Sequence, residues 1–243
     1  MPGTINPRLL SVDPQPWLQT PSSLTISPEP GLYPPCDIFR VHQDIIRDEF
    51  ENYQKAVSAG KQIELFHGNH SDASLNVGQP DAWQYMYLRD QFGTWRDELC
   101  ENYFPQTCDF FRDLESLRVL TEEEEKVTCQ SEWCTRGQHP GVVTFYQLAP
   151  DSLVRLHNGP TNQRLKCHLV ISGPPKGEHG AYLEVAGERH EYEVGDVYGF
   201  DDSYYHSAYN GGGDTNDIYR VVLDVSFWHP DLLNPLQSTH DEL

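Results

Sequence analysis

Two stretches of this chain concentrate the side chains that could do chemistry together. Residues 157–168, His-Asn-Gly-Pro-Thr-Asn-Gln-Arg-Leu-Lys-Cys-His, carry His157, Arg164, Lys166 and His168 in an otherwise acidic protein. The second, Gly199-Phe-Asp-Asp-Ser-Tyr-Tyr-His206, ends in another histidine, and Arg220 follows on an apolar run. Imidazoles that converge hold a divalent metal, and buried cations beside them hold an anionic co-substrate. A histidine alone in a β-protein is more often a hydrogen-bonded core or surface residue, so context must carry the reading. His157 comes straight after a strand-like run, at a strand end that Gly159 leaves uncrowded. Non-haem iron(II) centres usually add a carboxylate two residues after the first histidine. Here that position is Gly159.

The elements that must position these residues begin at Gly141, where the texture becomes that of a β-fold. Short runs at 142–148, 153–157, 165–172, 182–185, 191–194, 197–200, 204–209 and 219–227 are separated by Pro, Gly, Asn and Asp. That is how a double-sheet jelly-roll writes itself. His157 and His206 lie about 50 residues apart, a separation at which jelly-roll strands face each other across the barrel mouth and suit a two-histidine site. Upstream, Ile38, Val41, Ile45, Phe50, Tyr53 and Val57 keep helical spacing from the candidate N-cap Asp37 to Gly60. A loop is expected over 61–80, a strand over 83–88, and helices over 94–101 and 106–117.

The first 35 residues are rich in proline and serine and form no long regular element. The expected organisation is therefore a Pro-rich arm over 1–35 and a single domain over 36–243, helical over about 36–140 with a jelly-roll core over about 141–232. The fold class is mainly β with N-terminal helices.

A net charge of −20, from 37 acidic against 17 basic side chains, opposes nucleic acid and anionic membrane as partners. No run of about 18 apolar residues occurs, nor a charged start followed by an apolar stretch. A soluble cytoplasmic protein is expected. The six cysteines, at 36, 100, 108, 129, 134 and 167, are too sparse for a disulfide framework and are expected to be mostly reduced. Cys129 and Cys134 flank Gln-Ser-Glu-Trp, which is not a standard zinc spacing. The simpler reading is a loop that carries two thiols. The acidic run Glu122–Glu125 reads as a solvated helix end or loop.

The stretch His157-x-Gly-Pro-Thr-Asn-x-Arg-Leu-x-x-His168, then Val194-Gly-Asp-x-x-x-Phe-Asp-Asp-Ser-x-x-His206, then Arg220 and Trp228-His-Pro-Asp-Leu232 closely resembles the aspartyl/asparaginyl β-hydroxylase family. The resemblance covers about residues 83–232 and implies a double-stranded β-helix oxygenase that depends on iron(II), 2-oxoglutarate and O2. That family has glycine in place of the usual carboxylate ligand, so Gly159 agrees with it. By the same resemblance, His157 and His206 are the iron ligands and catalytic centre, His168 and Arg220 contact the 2-oxoglutarate carboxylates, and Arg164 binds the carboxylate of the substrate. Two positions depart from the pattern. Lys166, by the resemblance a further contact to 2-oxoglutarate, stands where the family usually has arginine, giving a point charge without the planar fork. Tyr146 falls where the animal members carry a small hydroxylated residue near the co-substrate; its phenol either donates to a carboxylate or fills space.

The implied substrate is a small amino-acid-like carboxylate anchored by Arg164, either hydroxylated, desaturated or cyclised. The alternatives are an Asp or Asn residue in a peptide or protein, and a cupin-like metal-binding module or isomerase that uses no 2-oxoglutarate. Asp201 and Asp202 read either as plain turn formers or as side chains that orient the iron histidines. The Gly-rich insertion at 210–216 reads either as a lid or as a tolerated loop. Oligomeric state is not legible in the sequence.

Overall fold

The computed structural model describes residues 33–61, 66, 76–77, 82–117, 141–159, 163–212 and 217–230. Among the described residues, ten strands form two antiparallel five-stranded sheets. The first sheet runs β2 (Trp83–Arg89), β3 (Val143–Leu148), β10 (Arg220–Trp228), β5 (Arg164–Ser172), β8 (Val197–Phe200). The second runs β1 (Asn76–Val77), β4 (Ser152–His157), β9 (His206–Asn210), β6 (Ala181–Val185), β7 (Glu188–Glu191). From β3 onward the chain passes repeatedly between the sheets, pausing only at the β6–β7 hairpin. This is the double-stranded β-helix arrangement of a jelly-roll.

Strand alternation decides what each face carries. On β5, Leu165, Cys167 and Leu169 point to a core shared with the helices, whereas Arg164, Lys166 and His168 point the other way, into the space between the sheets. β10 does the same, with Val221, Leu223, Val225 and Phe227 on the helical side and Arg220, Asp224 and Ser226 on the inner side. A second core of Trp83, Leu148, Val170, Leu183, Tyr192 and Phe200 fills the rest of the inter-sheet space.

Helix α1 (Pro34–Ser58) covers the outer face of β5 and β8 through Phe39, Ile46, Phe50 and Tyr53. It opens three residues before the expected Asp37, because proline at the first helical positions needs no donor and arrives with a helical φ. Helices α2 (Asp97–Asn102) and α3 (Pro105–Arg112) follow, and the segment beyond α3 ends in a 3-10 turn at Glu115–Leu117 instead of continuing the helix. Glu49 of α1 supplies the cap that α3 lacks locally: its carboxylate accepts from Gln106 N at 2.9 Å, Thr107 N at 3.0 Å and Thr107 Oγ1 at 2.6 Å. The strand expected over 191–194 lies at Glu188–Glu191 instead, since Val194 and Gly195 form a turn in which Gly195 takes φ +91°.

The cysteines correct the sequence expectation. Cys36 is bonded to Cys167, and Cys100 to Cys108. The first pair is 131 residues apart, and only the docking of the α1 start on β5 brings the thiols together. Cys129 and Cys134, the acidic run and most of the N-terminal arm lie outside the described residues. No helix among the described residues is long and apolar enough to cross a membrane.

Candidate active site

The two sheets enclose a cavity of about 640 Å³ whose wall includes Tyr146, His157, Arg164, Lys166, His168, His206 and Arg220. All seven residues singled out in the sequence thus meet in one place. The histidines, however, do not face each other across the mouth. His157 closes β4 and His206 opens β9, and the two are direct cross-strand partners on neighbouring strands of one sheet. Their ring centroids lie 4.2 Å apart.

Both rings are anchored in the same way. His157 Nδ1 lies 2.7 Å from Arg155 O, and His206 Nδ1 lies 2.9 Å from Tyr204 O, each the carbonyl two residues upstream. With Nδ1 protonated and donating, Nε2 keeps the lone pair that a metal takes. Burial, followed by the neighbouring His157, pushes the His206 pKa down to about 3, so its ring is neutral and ready to ligate. Among the described residues no third His, Cys, Asp or Glu completes a metal-holding group with them.

Gly159 is required by space. A Cβ there would meet the Asp202 carboxylate at 2.6 Å, and Gly159 N donates to Asp202 O at 2.6 Å. Asp202 therefore fills from the opposite strand entry the room that a side chain at 159 would use. Its Oδ2 accepts from Arg164 Nη2 at 2.9 Å, while its buried Oδ1 has no hydrogen-bond partner. Asp202 thus orients Arg164, whereas Asp201 forms a turn through Ser203 N at 2.9 Å. Burial works against the Arg164 charge, but Asp202 outweighs it and the pKa rises. Arg164 Nε is buried without a partner, so the guanidinium retains a donor for a ligand carboxylate.

Deeper in the cavity stands a residue the sequence reading missed. Asp224 on β10 is the cross-strand partner of His168 and fully buried. Its carboxylate accepts from Lys166 Nζ at 3.0 and 3.1 Å and lies 2.7 Å from His168 Nε2. Burial would raise its pKa, but Lys166 and His168 outweigh that and bring it to about 2. Tyr192 Oη approaches the other nitrogen of His168 at 3.3 Å, so both ring nitrogens are engaged within the chain. Arg220 differs. Its guanidinium lies 4.9 Å from the centroid of the Tyr192 ring, its Nε is buried without a partner, and among the described residues no carboxylate pairs with it. Tyr146 packs against Trp83 and under Lys166 Nζ, and burial raises its pKa well above the usual value.

A family model described as aspartyl/asparaginyl beta-hydroxylase matches residues 40–230. The chain belongs to that family. Aspartate beta-hydroxylase domain-containing protein 2 of Mus musculus is 39% identical over 85 residues, 35% of this chain and 23% of that protein. Aspartyl/asparaginyl beta-hydroxylase of Homo sapiens is 33% identical over 157 residues, 65% of this chain and 17% of that protein. The chain thus spans less than a quarter of the length of these relatives. A crystal structure of a Pseudomonas putida prolyl-4-hydroxylase aligns over 76% of this chain and 86% of that one, with 12% identity and a TM-score of 0.43.

The donor set of this family member fits a divalent cation. Two imidazoles, each with Nδ1 turned to a backbone carbonyl, lie against each other, and Asp202 Oδ1 is a buried acceptor with no hydrogen-bond partner among the described residues. The Arg220 guanidinium fits the carboxylate of a small dicarboxylate in the same way.

Proposed function

We propose that this chain is an iron(II)- and 2-oxoglutarate-dependent oxygenase that oxidises an unactivated C–H bond of a small carboxylate-bearing substrate, a free amino acid or a derivative of one. The observation that carries the reading is the pair of anchored imidazoles, His157 and His206, on the wall of a cavity that also holds the buried guanidinium of Arg220, which no carboxylate among the described residues pairs. Bound iron would supply the oxidising power, with 2-oxoglutarate converted to succinate and CO2 as O2 is consumed. The chain supplies orientation and a dry pocket: His157 and His206 for the metal, Arg220 for the distal carboxylate, and Arg164, held by Asp202, for the substrate carboxylate.

Hydroxylation is the simplest outcome, and desaturation or ring closure use the same residues. A second reading, an Asp or Asn residue within a peptide, has support from the names of the relatives and from the exposed Leu156 and Tyr205 at the cavity rim, where a longer substrate would lie. Succinate release with free amino acids against Asp-containing peptides separates the two, and turnover with peptides alone would displace the small-molecule reading. Arg220→Ala should raise the 2-oxoglutarate requirement by about tenfold or more; an unchanged requirement would remove Arg220 from the co-substrate site.

A further inference from the structure

Three cations line the cavity, and two of them are already neutralised from within the chain. Arg164 is paired with Asp202, and Lys166 with Asp224, in both cases at about 3 Å between charged atoms and with a fully buried carboxylate. Arg220 forms no ion pair with a described carboxylate; Asp224 acts on it only from beyond contact, and its Nε is buried without a partner. Lys166 and His168, which the sequence assigns to the co-substrate, turn their donors to Asp224. A dicarboxylate entering this subsite therefore meets a neutral Lys166–Asp224 pair beside a single positive guanidinium. Were Lys166 uncompensated, it would meet two.

We propose that Asp224 is the specificity-determining residue of the co-substrate subsite: by neutralising Lys166 it leaves Arg220 to hold one carboxylate, so that a dicarboxylate is retained only when a metal takes its other end. This rests on the 2-oxoglutarate reading of the site. The charge count is consistent with it. Arg220 answers the distal carboxylate, and a divalent cation on His157 and His206 answers the 2-oxo acid end. The Asp224 carboxylate then acts against any dicarboxylate that lacks the 2-oxo group, succinate included, because such a ligand chelates the metal poorly and must rely on the protein's own charges. The departure at Lys166 acquires a reason here. A lysine sends one compact charge to one carboxylate across the strands, whereas an arginine fork would keep a second pair of donors for the ligand.

The test is titration calorimetry of the full chain with 2-oxoglutarate and with succinate, metal-free and then loaded anaerobically with Fe(II). Asp224→Asn should bind both ligands at least about tenfold more tightly than the wild type without metal, the scale expected when one charge is removed a few ångströms away. Its preference for 2-oxoglutarate over succinate should shrink correspondingly. Lys166→Met should weaken both ligands, and the double variant Lys166→Met/Asp224→Leu should recover at least about tenfold of that loss. The double variant exchanges an ion pair for apolar groups, so it answers the question even if Asp224→Asn does not fold. Unchanged or weaker metal-free binding in Asp224→Asn, or no recovery in the double variant, would overturn the proposal while 2-oxoglutarate binding to the Fe(II)-loaded wild type left the reading of the site standing. Absence of 2-oxoglutarate binding to the Fe(II)-loaded wild type would overturn both.

Discussion

Asp202 occupies the volume into which a side chain at Gly159 would grow, with its carboxylate 2.6 Å from the position of a Cβ there. The glycine two residues after His157 is thus coupled to an ion pair on the other side of the cavity, because the same Asp202 holds Arg164. Gly159→Ala must push Asp202 aside, and the loss of its bond to Arg164 adds to the overpacking. We expect a destabilisation of about 1–3 kcal/mol, read by urea denaturation, together with weaker substrate binding. A Gly159→Ala protein as stable as the wild type would mean that Asp202 has room to retreat.

The metal assignment predicts that His157→Ala and His206→Ala each abolish tight Fe(II) or Mn(II) binding in calorimetry and succinate release in turnover. Neither ring sits in the main apolar core, so circular dichroism should show the fold retained. Retained coupled turnover in either variant would remove that histidine from the ligand set.

Much of this site was legible because its residues lie on strands whose period-2 pattern is clean. Leu165, Cys167 and Leu169 alternate with Arg164, Lys166 and His168, so one strand assignment puts all three polar side chains on one face. Other features depend on register between distant strands, which no single stretch encodes. Asp224 sits in the run Val-Val-Leu-Asp-Val-Ser and reads as an ordinary strand residue until β10 is laid against β5 and His168 becomes its partner. The neighbouring placement of His157 and His206 was misread for a similar reason: sequence separation suggests opposite walls, whereas jelly-roll topology makes β4 and β9 adjacent. Glu49 capping α3 was equally hidden, since cap and helix are 57 residues apart.

Two buried imidazoles set an acid limit on the metal-free protein. Burial lowers the pKa of His206 to about 3 and lowers that of His168 as well. Between those folded values and the ordinary histidine value of about 6.5, the unfolded chain binds more protons than the folded one. Stability is therefore fully present above about pH 6.5 and falls as pH drops below it. Asp224, also depressed, adds a second loss between its unfolded value and about 2. Thermal melts of metal-free protein at pH 7.5, 6 and 5 should show a declining Tm, and His168→Gln should flatten the first part of that decline. A Tm independent of pH over this range would contradict the buried neutral state of both rings.

The Cys36–Cys167 bond ties the start of α1 to the strand that carries the inner cations, and Cys167 lies between Lys166 and His168. It closes a loop of 131 residues, so its removal frees a large part of the unfolded chain. Cys36→Ser/Cys167→Ser should lose about 2–5 kcal/mol of stability. Because Cys167 faces the helices while its two neighbours face the cavity, the same change should loosen β5 and raise the 2-oxoglutarate requirement. Cys100→Ser/Cys108→Ser, which opens a loop of only 8 residues away from the cavity, serves as the control. Denaturation with and without reductant, paired with co-substrate titration, checks both parts. Equal effects of the two double variants on co-substrate affinity would show that the bond on β5 does not reach the site.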